Sequence, residues 1–138
     1  MQLNNPLRTG YTFGGWTIVS GLDTSTAKYG NTSNPTTAIN SASTKVKSIY
    51  FKNITPVNNA TVKFVANWIK NNYQVTISVN NSSYGTVSNS TVSIPYETTY
   101  KVSGNKLIFD DASSTTVTAS VTNLAGYDTT VSGWSSTS

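Results

Sequence analysis

The chain has no cysteine and no histidine. Without cysteine there is no disulfide, no thiolate metal site and no thiol nucleophile. Without histidine the commonest general base and the commonest transition-metal ligand are both gone. Charge is sparse as well: Asp, Glu, Lys and Arg make up 10% of the 138 residues, against about 25% in an average globular domain. No apolar run approaches the roughly 18 residues of a membrane-spanning helix, so no membrane insertion is expected of this segment. Residues 1–20 lack the basic-then-apolar layout of a secretion signal. What fills the chain is Ser, Thr and Asn, together roughly two residues in five, a clear excess over average composition. Hydrophobic residues reach only 36%, but aromatics stand at 11%, with three Trp and eight Tyr. Disordered chains combine low hydrophobicity with high charge and few aromatics. The expectation is therefore a folded chain with a thin core and a neutral, hydroxyl-rich surface, of a length that suits one domain or two small modules.

Val, Ile and Thr are plentiful and Leu is scarce, and branching at Cβ suits strands. No stretch keeps a helical period; residues 36–42 are the one place for a single helical turn. The fold class expected is all-β with at most that one turn. In the segment from Ala60 to Trp68, Val62, Phe64, Ala66 and Trp68 alternate with Lys63, Val65 and Asn67, which predicts a half-buried strand. Residues 73–79 read likewise, with Tyr73, Val75, Ile77 and Val79 inward. Lys47–Asn53 reads as a short strand. Residues 99–102 and 106–109 flank Ser103-Gly104-Asn105 as a tight hairpin. Thr115–Asn123 and Tyr127–Trp134 complete the set. Pro6, Pro35, Pro56 and Pro95 fall at breaks or ends, where the missing N–H costs little.

Asn71-Asn72 separates two halves. Residues 1–72 hold seven of the nine Lys and Arg but one of the five Asp and Glu, so the first half is basic and the second mildly acidic. There is also an internal echo: Gly10-Tyr11 leads to Gly15-Trp16, and Gly126-Tyr127 leads to Gly133-Trp134. Glycine beside each Trp leaves room for an indole to lie against backbone.

The segment Asn5-Pro6-Leu7-Arg8-Thr9-Gly10-Tyr11-Thr12-Phe13-Gly14-Gly15-Trp16 resembles the signature of the Listeria–Bacteroides, or internalin B-type, repeat: Pro-x-Arg-x-Gly-Tyr-x-Phe-x-Gly-Trp. Every defined position is met, by Pro6, Arg8, Gly10, Tyr11, Phe13, Gly15 and Trp16. The closing Ala-x-Trp of that repeat resembles Ala66-Asn67-Trp68. Residues 73–138 resemble a divergent form of the same repeat, through Val75–Val79, Tyr84-Gly85-Thr86-Val87, the Thr115–Asn123 strand, Gly126, Tyr127, Gly133 and Trp134. The resemblance implies β-grasp-like modules, an incomplete one in 1–70 and a divergent one in 73–138. It implies a secreted or cell-wall-anchored bacterial parent, with a spacer, adhesion or protein-interaction role. It carries no catalytic, cofactor or metal residue. Implied partners are neighbouring repeats of the same polypeptide, with host or cell-wall glycans or proteins as further candidates. The chain departs from the pattern in lacking the strands that precede Pro-x-Arg and the strand that follows Trp134, and in a long segment from Thr17 to Ile49. Each half thus lacks strands the other resembles, and the two halves are expected to pack together.

Other chemistry is weaker. Asp110 and Asp111 are adjacent, so in a strand they face opposite ways; solvated turn residues are the expected role, with a weak Ca²⁺ site alongside Ser113 or Ser114 the alternative. Serine catalysis without histidine would need a Ser–Lys pair, and no nucleophile motif surrounds any Ser, so no enzyme is expected. A Lys–Asn isopeptide crosslink would need Lys63 or Lys101 beside Asn67 and a buried acid. Lysines on an edge strand are the simpler reading. The dispersed lysines carry no nucleic-acid module and imply at most a pull toward anionic wall polymers. A carbohydrate-binding module using exposed aromatics is the alternative function. Trp16, Trp68, Trp134, Tyr11 and Tyr127 are expected in cores, and Tyr29 and Tyr84, each beside Gly, outside them.

Overall fold

The computed structural model describes residues 1–122, 125 and 130–136. The protein is all-β, and every sheet pairing is antiparallel. It divides into two compact units, Met1–Lys70 and Asn71–Ser138.

The first unit holds β1 (Tyr11–Ser20), β2 (Lys28–Gly30), β3 (Thr37–Ala38), β4 (Tyr50–Lys52) and β5 (Lys63–Lys70). β1 and β5 form a long two-stranded ribbon, and β3-β2-β4 form a small sheet. The alternation expected of β5 is present: Phe64, Ala66 and Trp68 are half-buried, while Lys63 and Val65 are exposed. The core is Ile18, Ala27, Ile39, Val46, Phe51 and Ile54, ringed by Leu3, Trp16, Leu22, Tyr29, Val62 and Phe64. Fully burying one such aliphatic or aromatic side chain contributes roughly 1.5–3 kcal/mol.

The helical turn expected at 36–42 is not there. Thr37 and Ala38 form β3 against Lys28 and Tyr29, and the Ile39 N–H donates to the Ala27 carbonyl at 2.9 Å, which sinks Ile39 into the core. A two-residue strand is too short to show a period in the sequence. Tyr29, expected outside the core, is half-buried against it because β2 is the central strand of its sheet. The strand read at Lys47–Asn53 is shorter, Tyr50–Lys52.

The second unit holds β6 (Asn72–Thr76), β7 (Gly85–Val87), β8 (Thr91–Pro95), β9 (Tyr100–Ser103), β10 (Lys106–Phe109) and β11 (Thr116–Val121). β6 pairs with β8, and the other four form a sheet in the order β7-β11-β10-β9. The expected β9–β10 hairpin is present, but Ser103, read as a turn residue, ends β9 opposite Lys106, which leaves Gly104-Asn105 as a two-residue turn. Its core is Ile77, Val92, Ile94, Phe109 and Val117, with Val75, Val87, Leu107 and Trp134 packed around it. β8, absent from the strands read in the sequence, supplies Val92 and Ile94 by strict alternation. Tyr73, expected inward, is 47% exposed; it sits near the start of β6 opposite Ile94 and leans on the Tyr96 ring at 5.9 Å. The strand expected at Tyr127–Trp134 is not formed by its described residues, 130–134.

Candidate functional site

The motif Pro6–Trp16 builds one structure from its own spacing. Arg8, Thr9, Gly10 and Tyr11 make a tight turn, closed by the Tyr11 N–H donating to the Arg8 carbonyl at 3.1 Å. Gly10 sits third in that turn with φ 75°, the position where a type II turn demands a left-handed residue. The turn folds the Arg8 guanidinium over the Tyr11 ring, 3.9 Å from its centroid, a cation–π contact of about 0.5–1 kcal/mol at an exposed site. Pro6 is half-buried outside any strand.

The glycines before Trp16 explain the rest. Phe13 and Trp16 are three residues apart, so a regular strand would send them to opposite faces. The β1–β5 register shifts between Phe13 and Gly15, a bulge that inserts one residue and returns Trp16 to the face of Phe13. Their rings meet edge-on at 5.3 Å. Phe13 also meets Trp68 at 5.9 Å, Trp16 meets Phe64 at 6.3 Å, and Phe64 meets Phe51 at 5.0 Å. Phe13 and Trp16 of the motif and Trp68 of the Ala-x-Trp close therefore form, with Phe64 and Phe51, one chain of edge-to-face contacts running into the first core. On the other side of the ribbon, the Asn67 side-chain amide bridges the bulge, donating to the Gly15 carbonyl at 3.0 Å and the Thr17 hydroxyl at 2.6 Å. That role of Asn67 was not visible in the sequence, where it reads as an outward polar residue. These bonds occupy the amide that a crosslink to Lys63 would use, and Glu97 is exposed.

Gly15 has φ 110°, and a Cβ there would lie 3.1 Å from the backbone C and O of Val46. Gly15→Ala is expected to cost about 1–3 kcal/mol, the range for a side chain held in a sparsely populated backbone region. Urea denaturation would measure it, with loss of the Phe13–Trp16 contact in NMR spectra as the local signature.

In the second unit Trp134 packs on the core and Gly133 lies outside any strand; Gly126 and Tyr127 fall outside the described residues. The indole N–H groups of Trp16 and Trp134 are buried without a hydrogen-bond partner. Their rings are thus held by packing and not by polar contacts. Tyr84 is exposed, as expected, and Tyr100 is too.

Asp111 is a turn residue whose oxygens accept from the Thr115 hydroxyl at 2.6 Å and the Thr115 N–H at 2.7 Å. The side-chain bond from Thr115, then its backbone bond, hold the Asp111 carboxyl below the ordinary range. Asp23 is lowered likewise by the Ser25 hydroxyl and backbone N–H. A carboxyl with a depressed folded-state pKa adds stability above its ordinary value and loses it as pH falls through the depressed one. Melting temperature is therefore expected to drop on acidification below about pH 4, with a shallower drop in Asp111→Asn. Among the described residues no group of three or more Asp or Glu gathers as a metal site.

No protein-family model matches the chain, and neither a curated protein nor a solved structure matches it.

Proposed function

We propose that the chain is a non-catalytic structural or adhesive repeat segment of an extracellular or wall-anchored bacterial surface protein, with a Listeria–Bacteroides-type repeat in residues 1–70 and a divergent form in 73–138. The observation that supports this is what the motif residues do: Phe13, Trp16 and Trp68 pack edge-on against one another and toward Phe64 and Phe51. Side chains that would form a ligand platform are engaged in holding β1 to β5. The mechanism is mechanical. A long antiparallel ladder from Tyr11 opposite Lys70 to Ser20 opposite Lys63 closes the unit and brings its two ends together, while the Ser, Thr and Asn surface limits aggregation. Neighbouring repeats of the parent polypeptide are the primary partners. No helix among the described residues is long and apolar enough to cross a membrane.

One observation favours the carbohydrate-binding alternative: Tyr73, Tyr84 and Tyr100 are each about half exposed or more, all in the second unit. A glycan array separates the readings. It is expected to stay empty. Binding that vanishes in Tyr84→Ala or Tyr100→Ala with melting unchanged would replace the structural reading with the carbohydrate one.

A further inference from the structure

We propose that the outer edge of β5 is a self-association surface, on which a second copy of this chain adds its own β5 antiparallel across a twofold axis at Ala66. β5 has β1 on one side, and among the described residues no strand pairs with its other side. The direction of its backbone groups follows from Trp16. The Trp16 N–H donates to the Val46 carbonyl at 2.7 Å, and the Val46 N–H donates to the Trp16 carbonyl at 2.8 Å. Both bonds leave β1 on the side away from β5, so Ala66, the register partner of Trp16, receives nothing from it. The N–H and C=O of Ala66 must point outward. The strand's two-residue period aims those of Phe64 and Trp68 the same way.

Natural edge strands are protected by charge, proline or bulges. Here Lys63 and Lys70 bracket β5, but Phe64 through Ile69 carry no charge and no proline, and the two register shifts leave the β5 partners consecutive while β1 skips Gly14 and Val19. An uncharged, β-prone stretch of about six residues on an open edge is the kind that seeks a strand. Val65 and Ile69, on the solvent face, are 39% and 56% exposed.

The sequence of β5 points to a second copy as the occupant. With Ala66 on the twofold, every outward residue meets an outward residue: Phe64 faces Trp68 of the second copy, and Ala66 faces Ala66. Small side chains meet at the axis and aromatics pair on either side, a favourable cross-strand combination. On the other face Val65 lies opposite Asn67, and Lys63 opposite Ile69, so no lysine faces a lysine. Moving the axis to residue 65 instead pairs Trp68 with residue 62, outside the strand, and an axis at residue 67 pairs Phe64 with a charged lysine. The result is a continuous four-stranded sheet, β1-β5 of one copy joined to β5-β1 of the other, with isologous contacts as twofold symmetry requires.

Sedimentation equilibrium of the full chain, with amide hydrogen exchange followed by NMR across a concentration series, tests this. The expected result is a dimer, with the Phe64, Ala66 and Trp68 amides gaining protection as concentration rises while that of Val65 is protected throughout. Ala66→Pro removes the central N–H, which the fold itself does not use, and is expected to weaken the dimer at least about tenfold with the melt still cooperative. Val65→Lys places two lysines diagonally across the axis and is expected to weaken it without touching the core face. A chain that stays monomeric with those three amides exchanging freely overturns the proposal. So does a dimer that survives both substitutions, protection independent of concentration, or protection that appears only when an unrelated extended peptide is added.

Discussion

Phe51→Ala should destabilise the first unit by about 3–5 kcal/mol, the range for deleting a buried aromatic. Phe51 is 1% exposed and is the largest fully buried side chain of its core. It sits in the middle of β4, opposite Tyr29 of β2, and its ring meets Phe64 of β5. It therefore joins the small sheet to the ribbon. Its backbone adds a second constraint: its N–H donates to the Met1 carbonyl, and its carbonyl accepts from the Met1 ammonium, both at 2.9 Å. Those bonds hold β4 in place and prevent the strand from collapsing into the cavity, which puts the cost toward the upper part of the range. For a unit of this size each kcal/mol lowers Tm by about 4–8 °C, so the first unit of the variant is expected to melt about 12–40 °C below that of the parent. Amide exchange resolves the outcome by residue. Simultaneous loss of protection at Val92, Ile94 and Val117 is the signature of halves packed together, and loss confined to Trp16, Ile39 and Val46, whose N–H groups are hydrogen-bonded within the first unit, that of autonomous ones.

Strands with an unbroken period of two were legible in the sequence; β1, the longest, was not among the strands read, because its bulge breaks the alternation, and most of the shortest were missed as well. β5 announces itself because Phe64, Ala66 and Trp68 repeat at period two over several cycles. β2, β3 and β7, of two or three residues, offer at most one cycle, and their existence depends on partners far along the chain. Tyr73 shows a different limit. Its place in the alternation of Val75 and Ile77 is correct, but a position near a strand end exposes it. The turn Arg8–Tyr11 was readable in principle from Gly10. The bulge was not. Gly15 reads in the sequence as space for an indole, whereas the structure uses it to change register so that Phe13 and Trp16 share a face. Asn67 escaped for the same reason, since its acceptors exist only once the bulge has formed. Which edge of β5 lacks a strand among the described residues is a property of pairing, and no single strand's pattern encodes it.

Trp16→Ala is the second large expected effect, about 3 kcal/mol, at the lower end of the range for a buried aromatic because Trp16 is half-buried. Its ring lies between Phe13 and Phe64, so truncation breaks the chain of contacts that links the motif to the core. The indole N–H has no partner, hence its removal forfeits no hydrogen bond, and Trp16→Phe is expected to restore most of the loss. The backbone bonds between Trp16 and Val46 survive both substitutions, which keeps β1 in register and confines the effect to packing. A double-mutant cycle of Trp16→Ala with Phe64→Ala should return a coupling of about 0.5–1.5 kcal/mol, the excess an edge-to-face pair carries beyond buried area. A surface ligand platform predicts the opposite pattern: melting within a degree or two of the parent, no coupling to Phe64, and a glycan affinity that disappears with the indole. Chemical denaturation of the four proteins in the cycle separates the two, because only a structural Trp16 makes the energy of one ring depend on the presence of the other.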